Sequence, residues 1–107
     1  MKPVELFYLR GCPYCVKARK AVEELRSESE SYERVPVRWI EESEDVDYAN
    51  EHDYYYVPSV YFSGRKLFEA RPGDSLAKIK AGIRAAFDKA VLDGPGEEYI
   101  SSLHNQK

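Results

Sequence analysis

The pattern of apolar and polar positions predicts a strand followed directly by a helix at the start of the chain. Residues 4–9 (Val-Glu-Leu-Phe-Tyr-Leu) form a short apolar and aromatic run that stops at Arg10-Gly11, which is typical of a buried strand. From Pro13 to about Ser29 the pattern becomes helical, with one apolar face made of Ala18, Ala21, Val22 and Leu25. A proline suits the first helical turn because the N–H that it lacks would be unpaired there anyway.

The next segment predicts a connection, an edge strand and a weak helix. Residues 28–34 are polar and predict a connection without regular structure. Residues 35–40 alternate, with Val35, Val37 and Trp39 on one side, and therefore predict a second strand. Pro36 cannot donate to a sheet ladder, so we expect this strand at a sheet edge. Residues 44–53 are acidic and only weakly helical.

The second half of the chain predicts a hairpin and a final helix. Residues 57–62 and 66–70 flank Ser63-Gly64-Arg65 as a pair of strands would. Asp74 or Ser75 can cap a helix that ends at Gly94-Pro95-Gly96 and has an apolar face of Leu76, Ile79, Ile83, Ala86, Phe87 and Ala90. The order βαβαββα predicts an α/β domain: a four-stranded mixed sheet flanked by helices, its first two strands parallel and its last two antiparallel.

Length and composition limit the class of protein. The 107 residues are enough for one domain, which we assign to residues 1–93, with a tail at 94–107 that is either a short helix or disordered. No run approaches the roughly 18–20 apolar residues of a membrane span. The first residues lack a basic region followed by an apolar run, which is what a signal peptide requires. We therefore expect a cytoplasmic protein without a membrane partner.

The charge distribution is uneven along the chain. The net charge is −3, from 16 basic and 19 acidic residues, which argues against nucleic-acid binding. Residues 1–22 carry a net +4, residues 23–53 a net −9 and residues 54–92 a net +4. We interpret the acidic segment as a solvated face, while the two basic segments contain the residues with candidate chemistry.

The strongest chemical signal is the cysteine pair. Cys12 and Cys15 are the only cysteines, and they lie in Gly-Cys-Pro-Tyr-Cys where the predicted strand gives way to the helix. Unpaired amides at a helix start favour an anion, so we expect Cys12 to be a reactive thiolate, with Arg10 adding positive charge. Tyr14 would present its ring beside this sulfur. Cys15, one turn later and more buried, would then attack the mixed disulfide formed by Cys12 and release the reduced substrate.

Other interpretations of the pair are weaker. A structural disulfide is not expected in a reducing cytoplasm. A zinc site needs about four ligands, and neither a second cysteine pair nor a neighbouring histidine is present, since His52 and His104 are distant in sequence. We therefore predict no bound metal and no bound cofactor. A metal site shared between two chains and inert core cysteines stay open as lesser alternatives.

The Cys-Pro-Tyr-Cys motif after a first strand resembles the active site of dithiol glutaredoxins, over about residues 3–92. The resemblance implies a thioredoxin-like fold and glutathione as co-substrate. It also implies that Val57-Pro58 forms a cis peptide facing the first cysteine, with the Val57 backbone pairing with glutathione or a bound peptide. From the sequence alone, an X–Pro bond is cis in only about 5% of cases. Tyr56 stands where the family usually has Thr, and of the Tyr54-Tyr55-Tyr56 cluster it is the one expected to reach the pocket.

Two further positions match the family less closely. Gly73-Asp74 lies in the turn before the last helix. In the family, an acidic residue at this place accepts a hydrogen bond from the glutamyl amino group of glutathione, and the amides at the helix start hold the glutamyl carboxylate. The glycine pair that precedes this acid in the family is missing, and Phe68-Glu69 stands near its place. The basic residue usually found three positions before the first cysteine is replaced by Leu9, with Arg10 one position later.

These features lead to one principal function and two alternatives. We predict a monomeric, glutathione-coupled thiol-disulfide oxidoreductase that reduces protein disulfides or glutathione mixed disulfides. Arg71-Pro72 resembles the redoxins that draw electrons from thioredoxin reductase and donate them to a reductase, so this electron source is the first alternative. The second is a dimer that bridges an iron–sulfur cluster through Cys12 and two glutathiones, although Pro13 in the family's motif tends to accompany redox activity.

Overall fold

The structure is a computed structural model and describes residues 1–94. Its elements are β1 (Val4–Tyr8), α1 (Pro13–Glu28), α2 (Glu30–Glu33), β2 (Val37–Glu41), α3 (Val46–Asn50), β3 (Ser59–Phe62), β4 (Arg65–Glu69) and α4 (Leu76–Asp93). The predicted tail lies outside the described residues from position 95 onward. Among residues 1–94, no helix combines the length and the apolar character needed to cross a membrane.

The four strands form one mixed sheet in the order β2-β1-β3-β4. β1 and β2 are parallel, while β3 is antiparallel to both β1 and β4. Leu6 of β1 pairs with Trp39 on one side and with Val60 on the other. The predicted four-stranded mixed sheet is thus confirmed, and β2 lies at its edge as the proline at position 36 led us to expect.

The two faces of the sheet carry two apolar clusters. The larger cluster joins one face of β1 and β3, including Val4 and Val60, to the helices α1 and α4 through Leu25 and Ile83. The smaller cluster lies on the opposite face and is built from Phe7, Ile40, Ala49 and Tyr61, so that α3 covers this side. Alternate side chains of β1 therefore enter different clusters, as the two-residue period of a strand requires.

The segment expected to be a polar connection contains a helix instead. The Ser29 side chain accepts a hydrogen bond from the Tyr32 amide at 3.1 Å and so caps α2. The Tyr32 ring packs edge-on against Phe87 of α4, with ring centroids 5.6 Å apart. Local capping and this distant aromatic contact together stabilise a turn that its polar composition did not reveal. The element order is therefore βααβαββα rather than βαβαββα.

Strand boundaries also differ from those predicted. β2 begins at Val37 rather than Val35, and the Pro36 carbonyl accepts from the Val4 amide at 2.9 Å, just before the strand. The hairpin between β3 and β4 turns through Ser63 and Gly64, both with positive φ (51° and 77°). Such a two-residue turn suits the right-handed twist of paired strands. Strand β4 consequently starts at Arg65.

The last helix closes the larger cluster. The Ser75 side chain accepts from the Lys78 amide at 3.1 Å, which makes Ser75 rather than Asp74 its N-cap. The helix ends at Gly94, where φ is 71°. Gly82 lies against the ring of Phe68, and a Cβ added at this glycine would lie 2.2 Å from Phe68 Cγ. The absence of a side chain at position 82 is what allows α4 to approach β4 at this point.

Candidate active site

Cys12 lies at the opening of α1. Its backbone is extended (φ −79°, ψ 121°), and its carbonyl accepts the first helical hydrogen bonds from Cys15 (3.0 Å) and Val16 (3.2 Å). Gly11, with φ 82°, lets the chain turn from β1 into the helix. No acidic side chain lies in the first helical turn. The Cys12 side chain thus lies at the helix opening, where the helix dipole favours a negative charge, and it makes no capping hydrogen bond to the helix amides.

A second segment faces this sulfur from 45 residues away in sequence. Cys12 Sγ lies 3.9 Å from the carbonyl oxygen of Val57, close enough for the thiol to donate a weak hydrogen bond. The Val57-Pro58 peptide bond is cis. The two segments meet because β1 and β3 are antiparallel neighbours, with Phe7 paired to Ser59, so the end of one lies beside the start of the other.

Cys15 lies behind Cys12 and is buried, with 4% of its surface exposed. Burial raises the pKa of the Cys15 thiol to about 12, an effect that the neighbouring Cys12 reinforces. Both cysteines are free thiols. The pair therefore combines a half-buried sulfur at a helix opening with a protonated thiol one turn deeper.

Tyr14 and Lys17 tie the start of α1 to the turn before α4. The Gly73 amide donates to the Tyr14 hydroxyl at 2.7 Å. Lys17 Nζ donates to the Asp74 carbonyl at 3.0 Å and lies 5.0 Å from the centre of the Tyr14 ring. Gly73 and Asp74, distant in sequence, are thereby brought beside the cysteine motif. Nothing in the sequence indicated that Lys17 would act as a tether between these segments.

The Asp74 carboxylate is largely engaged within its own turn. One oxygen accepts from the Arg71 amide at 2.8 Å, and the other lies 3.4 Å from Lys78 Nζ. The Arg71 hydrogen bond and the Lys78 charge hold the pKa of Asp74 below its usual value. With 7% of the residue exposed, the carboxylate stabilises the turn and presents little surface to a ligand.

Arg10 is engaged by acidic residues at the end of β2 and in the loop that follows it. Its exposed guanidinium forms an ion pair with Glu44, and its amide donates to Glu41 at 3.2 Å. Glu41 also accepts from the Ser43 amide at 2.7 Å, which fixes the loop after β2 beside the loop after β1. The positive charge that Arg10 was expected to supply to Cys12 is therefore offset by Glu44.

The tyrosine cluster divides into one partly buried and two exposed side chains. Tyr54 packs against Phe7, with ring centroids 5.1 Å apart, at the margin of the cluster that contains Ala49 of α3. Tyr55 is 90% exposed and Tyr56 47% exposed, next to the segment that faces Cys12.

Glu69, which the sequence did not identify as part of the site, holds this loop. Its Oε2 accepts from the amides of both Tyr55 and Tyr56 at 2.8 Å, while its Oε1 pairs with Lys66 at 2.7 Å. Glu69 is opposite Ser59 in the β3–β4 ladder, so its side chain reaches the loop that precedes β3. The sequence shows an acidic residue at the end of the hairpin, but only the tertiary structure shows that it accepts from the amides of the preceding loop.

Across residues 1–94, the structure brings no three His, Cys, Asp or Glu side chains together as a possible metal site. The His52 ring packs against the smaller apolar cluster, with its centre 4.6 Å from that of the Phe7 ring. Its Nδ1 is 2.8 Å from the Tyr48 carbonyl oxygen.

Comparison with known proteins gives information about the fold of this chain and none about its function. No protein-family model matches the chain, and no curated protein matches its sequence significantly. A solved structure described as that of a malarial protein is similar, with a TM-score of 0.54 and 14% sequence identity. The match covers 77% of this chain and 92% of that one. At this identity the similarity concerns the fold alone, and it agrees with a small α/β domain built on a four-stranded mixed sheet.

Proposed function

We propose that this chain is a glutaredoxin-like thiol-disulfide oxidoreductase of the thioredoxin-like fold class, acting on protein disulfides or glutathione mixed disulfides. The observation that supports this most directly is the position of Cys12. Its sulfur lies at a helix opening, 3.9 Å from the Val57 carbonyl and next to a cis proline, with a second thiol buried one turn deeper. We further propose that the protein works as a cytoplasmic monomer.

The proposed reaction transfers two electrons. The Cys12 thiolate attacks one sulfur of the substrate disulfide, whose S–S bond breaks as the other sulfur leaves as a thiolate and takes up a proton. Cys15 then loses its proton and attacks Cys12 Sγ, which releases the second substrate thiol and leaves a Cys12–Cys15 disulfide. Two molecules of glutathione reduce this disulfide and become glutathione disulfide. A high pKa at Cys15 suits this order, since it keeps the second thiol from competing for substrate.

The backbone around Cys12 supports binding of an extended substrate. The Val57 carbonyl faces the sulfur, and the next residues continue into β3. A peptide or glutathione laid beside Val57 would pair with its backbone as an added strand does. Glu69 fixes the two amides that precede Val57 and so keeps this edge in place. The chain thus offers a prearranged backbone surface next to the reacting atom.

One observation favours thioredoxin reductase as an alternative electron source. The Asp74 carboxylate, which the resemblance assigns to the glutamyl amino group of glutathione, is engaged by the Arg71 amide and by Lys78. A site that depends on this carboxylate would bind glutathione with lower affinity than a site in which the acid is free. The electron source is therefore the first property to measure.

The test is a coupled assay with glutathione, glutathione reductase and a small glutathione mixed disulfide, run in parallel with thioredoxin reductase. We expect turnover with glutathione. Turnover only with thioredoxin reductase would support the alternative source, and no reduction with either would contradict the proposed chemistry. Cys12→Ser should abolish turnover, whereas Cys15→Ser should retain deglutathionylation and, when glutathione is omitted from the reaction, accumulate one glutathione on Cys12, detectable by mass spectrometry. Equal loss in both variants would contradict the assigned roles.

A further inference from the structure

A cleft borders Cys12 on a side that the proposed glutathione contacts do not use. It has a volume of about 210 Å³, and both Cys12 and Cys15 contribute to its wall. Val57, Pro58 and Asp74 are not part of its lining. A substrate joined to Cys12 through a disulfide has groups on either side of the reacting sulfur, so this cleft is positioned to receive the half that does not lie against Val57.

One helix face brings a cation into the cleft. Cys12, Val16 and Arg19 follow one another at intervals of four and three residues, which places them along one side of α1. The Arg19 guanidinium lies 4.4 Å from the centre of the Trp39 ring and 5.0 Å from that of Tyr8. These rings stand edge to face, 5.8 Å apart, and hold the guanidinium in a defined position.

The two arginines of the first cleft differ in their partners. In residues 1–94, no carboxylate forms a salt bridge with Arg19, whereas the other arginine lining the cleft, Arg10, is paired with Glu44. A second cleft of about 320 Å³ also has Arg19 in its lining. It includes Trp39 and continues along α1 to Arg26, with Glu23 as the acidic residue in its lining. The two clefts meet at Arg19, and together we call them the docking path.

We propose that this path binds the polypeptide around the reacting cysteine of a protein substrate and that Arg19 pairs with an acidic side chain of that substrate close to the cysteine. This rests on the proposed function, which supplies the disulfide exchange at Cys12. Leu9 and Val16, the latter 65% exposed, give the substrate backbone an apolar surface beside the sulfur. A planar guanidinium held over aromatic rings keeps its N–H donors free for a carboxylate.

The test uses two glutathionylated peptides that differ only in having Glu or Gln at the second residue on each side of the cysteine. We expect the wild-type protein to reduce the Glu peptide about three to five times more efficiently in kcat/KM, as for an exposed but ordered ion pair. Arg19→Gln should bring this ratio close to one, and added salt should lower it in the wild type. Lys20→Gln is the matched control, since it removes the same charge from an exposed position of α1 outside the cleft, and it should keep the ratio.

Other outcomes would overturn the proposal. A wild-type ratio of one, or an unchanged ratio in Arg19→Gln, would exclude an acidic substrate residue at Arg19. An increase in the KM for glutathione in Arg19→Gln without a change in the ratio would assign the cation to a glutathione carboxylate instead.

Binding can be measured independently of turnover. Trp39 is the only tryptophan and contacts Arg19, so its fluorescence can follow titration of Cys12→Ser with each peptide. Tighter binding of the Glu peptide would support the docking path even if the wild-type protein proved inactive, which would contradict only the proposed function. Equal binding of both peptides would contradict the docking path.

Discussion

The hydroxyl of Tyr14 accepts a hydrogen bond of 2.7 Å from the backbone amide of Gly73, 59 residues further along the chain. This contact joins the cysteine motif to the turn before α4. The parallel bond from Lys17 Nζ to the Asp74 carbonyl, 3.0 Å long, strengthens the same junction. Tyr14 therefore positions the turn that the resemblance assigns to glutathione, while its ring packs against the larger apolar cluster.

Removal of the Tyr14 hydroxyl should affect substrate binding clearly and the free energy of unfolding only slightly. In Tyr14→Phe the exposed Gly73 amide can bond to water, so the free energy of unfolding should fall by about 1 kcal/mol or less. The turn would be less well held, and the KM for glutathione should rise a few-fold while kcat changes little. Urea unfolding and steady-state kinetics measure both quantities. Tyr55→Phe, which alters a 90% exposed tyrosine, is the control and should behave as the wild type.

Glu69 should control the order of the loop that faces Cys12. Glu69→Ala removes the acceptor of the Tyr55 and Tyr56 amides, and we expect the free energy of unfolding to fall by about 1–2 kcal/mol because both amides can be partly rehydrated. Hydrogen exchange at these two amides should accelerate, and kcat/KM should decrease.

Two variants separate the loop contacts of Glu69 from its ion pair. Glu69→Gln keeps a side-chain acceptor, and Lys66→Gln removes only the pairing cation, which lies 2.7 Å from Glu69. Both should lose about 1 kcal/mol or less and retain slow exchange at the loop amides. Fast exchange in Lys66→Gln would show that the ion pair, rather than the two amide bonds, orders the loop.

The Asp74 turn should be sensitive to acid. Because the Arg71 amide and Lys78 lower the pKa of Asp74 in the folded protein, its contribution to stability is complete above the unfolded pKa of about 4 and is lost as the pH falls through the folded pKa. The difference in free energy of unfolding between wild type and Asp74→Asn should therefore be largest at neutral pH and shrink below pH about 4. Denaturant titrations across this range measure it.

The control for this acid sensitivity is Asp93→Asn at the exposed end of α4. Its difference from the wild type should be small at every pH. A difference between wild type and Asp74→Asn that grows on acidification would have the wrong sign for an ionised Asp74 and would contradict the assignment.

Gly82 should not tolerate a methyl group. An added Cβ would lie 2.2 Å from Phe68 Cγ, so Gly82→Ala should be destabilised by about 1–3 kcal/mol, although alanine is the better helix former. Phe68→Leu combined with Gly82→Ala should recover part of the loss, because the smaller side chain leaves room for the methyl group. Ala85→Gly, at an exposed position of α4, measures how much the difference in helix propensity alone changes the free energy of unfolding. A Gly82→Ala protein as stable as the wild type would show that the Phe68 ring moves aside freely.

Sequence patterns predicted most of the fold because the relevant forces act locally. The apolar spacing of residues 18–25 and 79–90 located the two long helices, and Pro36 indicated an edge strand. The helix at residues 30–33 was missed because its stability depends on a distant contact between Tyr32 and Phe87. A polar segment of seven residues carries no sign of such a partner.

The candidate site was predictable in its sulfur chemistry and less so in its surroundings. The placement of Cys12 at a helix start follows from a strand, a glycine and a proline within ten residues. The partner of Arg10, by contrast, is Glu44, and that of Arg19 is a pair of aromatic rings. A long charged side chain can reach many neighbours, and the one it meets depends on how elements separated by tens of residues pack.

What the sequence alone determined is the order of the four strands and of helices α1, α3 and α4, the mixed sheet and the presence of two thiols one turn apart, because backbone sterics, side-chain periodicity and capping operate over a few residues. Tertiary structure decided which groups surround those thiols. It brought Val57 within 3.9 Å of Cys12, engaged the Asp74 carboxylate in its own turn and left Arg19 without a carboxylate partner in the described chain. These arrangements depend on the packing of distant segments, because a hydrogen bond or a close ion pair forms only where that packing brings the two groups within a few ångströms of each other.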